Sequence, residues 1–169
     1  MLTENGRADL AYKLMNQRDF PSYGYLADKK NNTLWETWNG DGNDEGCGHC
    51  HPMFGSVVAW FYHSLAGIKP DQSDPGMKHF YIEPMIVPDL KYCRATYDSQ
   101  YGKISSDWKI DENGNLNIKI EVPANTSATV IIPDWGGRTV LESGKPVSEV
   151  SNIVIDKVDS AWMLSLIHI

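Results

Sequence analysis

The sequence predicts the end of a helical domain followed by an antiparallel β-sandwich, and three observations carry that expectation. Apolar residues recur at helical spacing in two stretches before residue 68. After Met77 the period drops to two, as in strands with one buried face. Turn signatures then separate short apolar runs, the spacing of a sandwich. The seam is placed near residue 78.

Taken in order, Arg7 to Gln17 puts Leu10, Ala11, Leu14 and Met15 on one helical stripe, and Phe20-Pro21 ends it. Residues 22–50 read as irregular, rich in Gly, Asn and Asp, with aromatics at Tyr23, Tyr25, Trp35 and Trp38. Pro52 suits the first turn of a second helix, whose stripe is Phe54, Val57, Val58, Phe61 and Leu65. Gly67 is its expected stop, and Pro70 prevents continuation. In the β part, "DENG" (Asp111–Gly114) is a hairpin turn. "NLNIKIEV" follows, alternating Leu116, Ile118, Ile120 and Val122 with polar residues. "PANTS" (Pro123–Ser127) then turns into the strand "ATVIIP". Two helices cannot bury their stripes alone. Helical partners upstream are therefore expected, and the chain reads as a fragment. The closing "SLIHI" resembles read-through of a sequencing adapter and is given no weight.

Composition excludes several classes. Hydrophobic residues make up 41% and charged residues 22% of the chain, a globular balance. The net charge of −7 argues against nucleic-acid binding, which needs a basic face. No apolar run approaches the roughly 20 residues of a membrane span, and "MLTENGRADL" does not read as a signal peptide. Three cysteines make no disulfide framework.

Cys47-Gly48-His49-Cys50-His51 matches C-x-x-C-H letter for letter, the pattern of covalent haem attachment. In that reading His51 is the axial ligand, and Met53, Met77 or Met85 lies opposite. A thioredoxin-like dithiol needs a βαβ setting, which is not found here. Zinc would take Cys47, Cys50 and a histidine, but a closed site wants four ligands and Cys93 is distant in the chain. The plainest reading is two free thiols in a loop. His51 is a separate matter, because it starts a helix and lies close to an unusual stretch.

That stretch is "TLWETWNGDGND", in which Glu36 stands between Trp35 and Trp38. Indole faces stack on the C–H faces of sugar rings, and a carboxylate among them can bond hydroxyls or take a proton from water. The competing reading packs both tryptophans into a core and leaves Glu36 in solvent. Asp41, Asn43, Asp44 and Glu45 break the alternation of a calcium loop and lack its closing glutamate, so they read as an acidic turn.

Together, "GYLADKKNNTLWETWNGD", "CHPMFGSVVAWFYHSLAGIKPD" and "PGMKHFYIEP" resemble the C-terminal region of bacterial α-L-rhamnosidases, glycoside hydrolase family 78. The likeness extends through "YGKISSDWKI" and "IEVPANTSATVIIP". It implies the tail of an (α/α)6 six-hairpin barrel at residues 1–77 and a β-sandwich at 78–169. By the same resemblance Glu36 matches the general base, Trp35 and Trp38 its flanking aromatics, and His51 a substrate-contacting histidine. Cys50 stands where the family usually has asparagine, and the loop from Asn39 to Gly48 is shorter than in many members.

The resemblance implies an inverting glycosidase releasing terminal α-L-rhamnose, with a rhamnose-containing carbohydrate as substrate and no cofactor. The general acid lies upstream, so the missing N-terminal part of its own chain is a required partner and the fragment alone is expected to be inactive. A second class keeps Trp35, Trp38 and His51 as a carbohydrate-binding platform without chemistry. A haem or metal protein built on Cys47, Cys50 and His51 is the third.

Overall fold

The computed structural model describes residues 2–29, 33–39, 48–151, 153–158 and 161–168. The chain forms two compact units, Met1–Phe61 and Tyr62–Ile169.

In the first unit, α1 spans Ala8–Asn16 and a 3-10 turn, Thr3–Asn5, precedes it. The predicted stripe lies on this helix, with Ala11 buried but Leu14 half exposed. A second helix, α2 (Tyr23–Asp28), lies where the sequence reads as irregular. Ser22 explains it: its Oγ accepts from the Tyr25 N–H at 3.0 Å and caps the first turn. Leu26 anchors the other side at 3% exposure. Six residues that include a glycine are too short and too weakly helical to show periodicity.

The predicted second helix is a continuous run in three geometries. Pro52–Ser56 is 3-10, α3 is Val57–Trp60, and Phe61–Leu65 is a π turn. Within the first unit, the Trp60 indole N–H donates to Thr3 Oγ1 at 2.7 Å, tying this run to the N-terminal turn. Val58 and Phe61 are exposed, whereas Leu65 at the end of the stripe is buried.

The second unit is built on two main sheets. The larger contains β1 (Ile68–Pro70), β2 (His79–Ile82), β6 (Thr126–Pro133), β9 (Ile153–Val158) and β10 (Ala161–His168), in the order β1-β2-β6-β10-β9. The smaller contains β3 (Tyr92–Ser99), β4 (Gly102–Ile110) and β5 (Leu116–Glu121), and a short hairpin pairs β7 (Leu141–Glu142) with β8 (Lys145–Pro146). All pairings are antiparallel except β2 with β6, which run parallel with His79 opposite Ser127. Phe80, Ile82, Ala128 and Val130 from one sheet and Ile104 from the other form the buried core, with Leu164 completing it. Here the sequence-predicted alternation holds, for β5 alternates half-buried and exposed residues along its length.

The units divide earlier in the chain than the seam placed at residue 78. Ile68, Lys69 and Pro70 pair with Ile82, Tyr81 and Phe80, so the segment before residue 78 is already a strand of the larger sheet. A three-residue strand ending in proline carries too little alternation to be seen in sequence.

"DENG" is the hairpin turn expected between β4 and β5. Asp111 Oδ1 accepts from the N–H groups of Asn113 and Asn115, and Oδ2 from the Asn115 side chain at 3.0 Å. The Asn115 side chain and backbone hold the Asp111 carboxyl below its ordinary value. A folded-state pKa depressed in this way gives stability that is present above the unfolded value, about 3.9, and lost as pH falls through the folded one. An NMR titration of Asp111 is expected to give a midpoint below that of a free aspartate, and Asn115→Ala to move it upward. A midpoint unchanged by Asn115→Ala would remove this account of the turn.

Candidate active site

The candidate residues lie on two short segments, Thr33–Asn39 and Gly48–His51, brought together by main-chain hydrogen bonds. The Glu36 N–H donates to the Gly48 carbonyl at 2.9 Å, and the His51 N–H donates to the Leu34 carbonyl at 2.8 Å. Thr33 Oγ1 adds a bond to the His49 carbonyl. Neither segment is a regular strand, so their pairing has no periodic signature in the sequence.

Glu36 is exposed, and its Oε2 accepts from the Gly48 N–H at 3.0 Å. The reading that places Glu36 in solvent is thus correct about exposure, but its carboxylate is held rather than loose. A Cβ built on Gly48 would lie 3.3 Å from Oε2, so a glycine there leaves room for the carboxylate.

The two tryptophans differ in environment. Trp35 stacks on His49, with ring centroids 4.6 Å apart and planes 19° from parallel. Trp38 stacks on Phe54 at 4.5 Å and meets Tyr23 edge-on at 5.2 Å. The Tyr23 hydroxyl donates to the Phe54 carbonyl at 2.9 Å, and burial raises the Tyr23 pKa. Trp38 is therefore fixed by an aromatic cluster that Tyr23 and Phe54 close.

His51 is the N-cap of the Pro52–Ser56 turn. Its Nδ1 accepts from the Met53 N–H at 3.4 Å. An accepting Nδ1 places the proton of the neutral ring on Nε2, which makes that nitrogen a hydrogen-bond donor. Capping and ligand binding are thus compatible, because they use different nitrogens.

Cys47 and the acidic turn Asp41–Glu45 lie outside the described residues. Cys50 is an exposed free thiol. Cys93 is half-buried in β3, and burial raises its pKa, with the Asp107 charge adding to the effect. Among the described residues no group of three His, Cys, Asp or Glu side chains is placed to hold a metal ion. Nor is any helix there long and apolar enough to cross a membrane. A cleft of about 1050 Å³ opens in the β-unit, lined in part by Trp135, Arg138, Val140 and Trp162. None of Glu36, Trp35, Trp38 or His51 lines it, so cavity size alone does not locate the chemistry suggested by sequence.

Sequence reasoning missed Gly48 and His49 as parts of this arrangement. The signal available was proximity to His51, but it was absorbed by the C-x-x-C-H pattern.

A helical stretch presenting a carboxylate among aromatics, followed by a β-sandwich, is the part of the chain that comparison assigns to a class, the end of a six-hairpin glycosidase. Residues 1–65 match the bacterial α-L-rhamnosidase six-hairpin glycosidase domain, and residues 67–146 match the bacterial α-L-rhamnosidase C-terminal domain. The chain belongs to the bacterial α-L-rhamnosidase family. It is 37% identical over 139 residues to an α-L-rhamnosidase of Streptomyces avermitilis, covering 79% of this chain and 13% of that protein. To one from Formosa agariphila it is 31% identical over 151 residues, covering 86% and 15%.

Solved structures agree. The α-L-rhamnosidase from Dictyoglumus thermophilum superposes with a TM-score of 0.85 at 32% identity, over 97% of this chain and 18% of that one. The Streptomyces avermitilis enzyme complexed with L-rhamnose gives 0.79 at 29% identity, over 99% and 16%. The chain thus spans less than a fifth of the length of these relatives.

Proposed function

We propose that this chain is the part of an inverting α-L-rhamnosidase that supplies the general base, Glu36. The substrate is a glycan or glycoside bearing terminal α-L-rhamnose. The observation that carries this reading is the Glu36 carboxylate held across from Gly48 beside the stacked pair of Trp35 and His49. In the reaction Glu36 takes a proton from a water molecule as that water attacks the anomeric carbon. A carboxylic acid elsewhere in the enzyme protonates the departing oxygen on the opposite face. Such a pair stands roughly 6.5–9.5 Å apart to admit the water. His51 donates from Nε2 to a sugar hydroxyl, Trp35 offers an aromatic face to the ring, and Trp38 is a substrate wall held rigid by Phe54 and Tyr23.

The base alone is half of the catalytic pair, so the isolated chain is expected to show no turnover. In the full-length gene product that carries this segment, Glu36→Gln is expected to lower kcat on 4-nitrophenyl α-L-rhamnoside by at least about 10²-fold, the scale of general-base assistance. Glutamine keeps the size and hydrogen-bonding reach of the side chain but cannot take the proton. An unchanged kcat removes Glu36 from the base role. If the parent binds rhamnose yet cleaves no rhamnoside, the carbohydrate-platform reading takes its place.

A further inference from the structure

We propose that Gly48 is a positioning residue for Glu36, acting through its backbone N–H and through the absence of a side chain. The inference rests on the reading of Glu36 as the general base.

Glu36 is exposed, so nothing in its packing fixes the carboxylate. A glutamate in that state samples several rotamers, and ordering it costs on the order of 1 kcal/mol or more in side-chain entropy. Gly48 supplies the restraint twice. Its carbonyl accepts from the Glu36 N–H at 2.9 Å, which sets the backbone, and its N–H donates to Oε2 at 3.0 Å, which sets the far end of the side chain. With both ends tied to one residue, the side chain is restrained at its backbone and at one carboxylate oxygen.

The anchor is itself held. Thr33 Oγ1 grips the neighbouring His49 carbonyl, the His49 ring lies on Trp35, and His51 N–H reaches Leu34. Residues just before Glu36 are thereby bound to residues just after Gly48. A side chain at position 48 enters this arrangement badly, because its Cβ would stand 3.3 Å from Oε2 and push the carboxylate by a few tenths of an ångström. That shift is a fraction of the roughly 1 Å of misplacement that can cost 10²-fold in rate, so the loss expected from crowding alone is smaller, about tenfold.

The test compares kcat and KM on 4-nitrophenyl α-L-rhamnoside for the full-length gene product, Glu36→Gln, Gly48→Ala, Gly48→Pro, and both Gly48 changes in the Glu36→Gln background. Gly48→Ala keeps the N–H and crowds the carboxylate; Gly48→Pro removes the N–H. The expected falls in kcat are about tenfold and about 10²-fold, with KM within about twofold. In the Glu36→Gln background the same changes are expected to lower kcat by no more than about twofold, because the group they position no longer acts as a base. Circular dichroism and Tm establish folding, and if Gly48→Pro does not fold, the Gly48→Ala pair decides alone.

Undiminished losses in the Glu36→Gln background mean that Gly48 acts independently, and they overturn the proposal. So does parent-like kcat in both Gly48 variants while Glu36→Gln is impaired. Parent-like kcat in Glu36→Gln itself overturns the base reading, and the positioning role with it.

Discussion

Trp108→Ala is expected to destabilise the β-unit by about 3–5 kcal/mol, the range for removing a buried aromatic side chain. Trp108 is wholly buried, and among the described residues it is the largest side chain with that property. Truncation removes its apolar surface from the interior and leaves a cavity that strands cannot close by collapse. A polar loss comes on top. The indole N–H donates to the Leu65 carbonyl at 2.7 Å, at the end of the π turn. Two residues along β4, Ser106 Oγ donates to the next carbonyl, that of Ala66, also at 2.7 Å. A helix end leaves carbonyls without partners in its own backbone, and here β4 supplies donors to two of them.

Trp108→Phe separates the contributions. It retains most of the apolar volume and deletes the donor, leaving the Leu65 carbonyl short of a partner at a cost of about 1–3 kcal/mol. Urea unfolding of the chain, followed by fluorescence and circular dichroism with the m-value checked for constancy, measures both. A loss below about 1 kcal/mol for Trp108→Ala is too small for a filled, hydrogen-bonded site and would show that the indole is not buried and bonded as described.

Trp108 also shows how far sequence reading reaches. The alternation of Ile104, Ser106 and Trp108 marks one face of a strand, and the stripe ending at Leu65 marks a helix. That the indole finds the Leu65 carbonyl is a fact of tertiary packing with no local trace. The same division runs through the fold. Helix α1, the 52–65 helical run, the "DENG" hairpin and the alternation of β5 are local, and all were legible. The short β1 strand and the parallel pairing of β2 with β6 depend on partners far along the chain, and they were not. In the site, residue chemistry and family likeness single out Glu36, Trp35, Trp38 and His51. The hold of Gly48 on Glu36 joins two irregular segments, where spacing says nothing about which atoms meet. Trp38 and Trp35 look equivalent in "WETW", yet one is locked against Phe54 and the other lies on His49.

Gly67→Ala is the second large effect expected, about 3 kcal/mol or more, of the kind produced when backbone conformation and packing fail together. Gly67 follows the helical run and has φ of +79°, a conformation in which a Cβ is strained. Strain of that type alone costs about 1–2 kcal/mol. Gly67 adds a close approach, because a Cβ would lie 2.3 Å from both the Glu83 carbonyl carbon and the Pro84 nitrogen. Those atoms are backbone and cannot swing aside as a flexible side chain would. The segment they belong to is also bonded to Gly67, whose carbonyl accepts from the Glu83 N–H at 2.9 Å. Relief of the clash therefore pulls against the contact that starts the β1–β2 ladder, where Ile68 pairs with Ile82. Gly136 is the control. It has nearly the same φ, +67°, but nothing within 4 Å of its Cβ position. Gly136→Ala is expected to show the conformational cost alone, about 1–2 kcal/mol, and the difference between the two variants measures the close approach. Equal losses in urea unfolding would mean that the helix end and the Glu83–Pro84 segment do not meet as described.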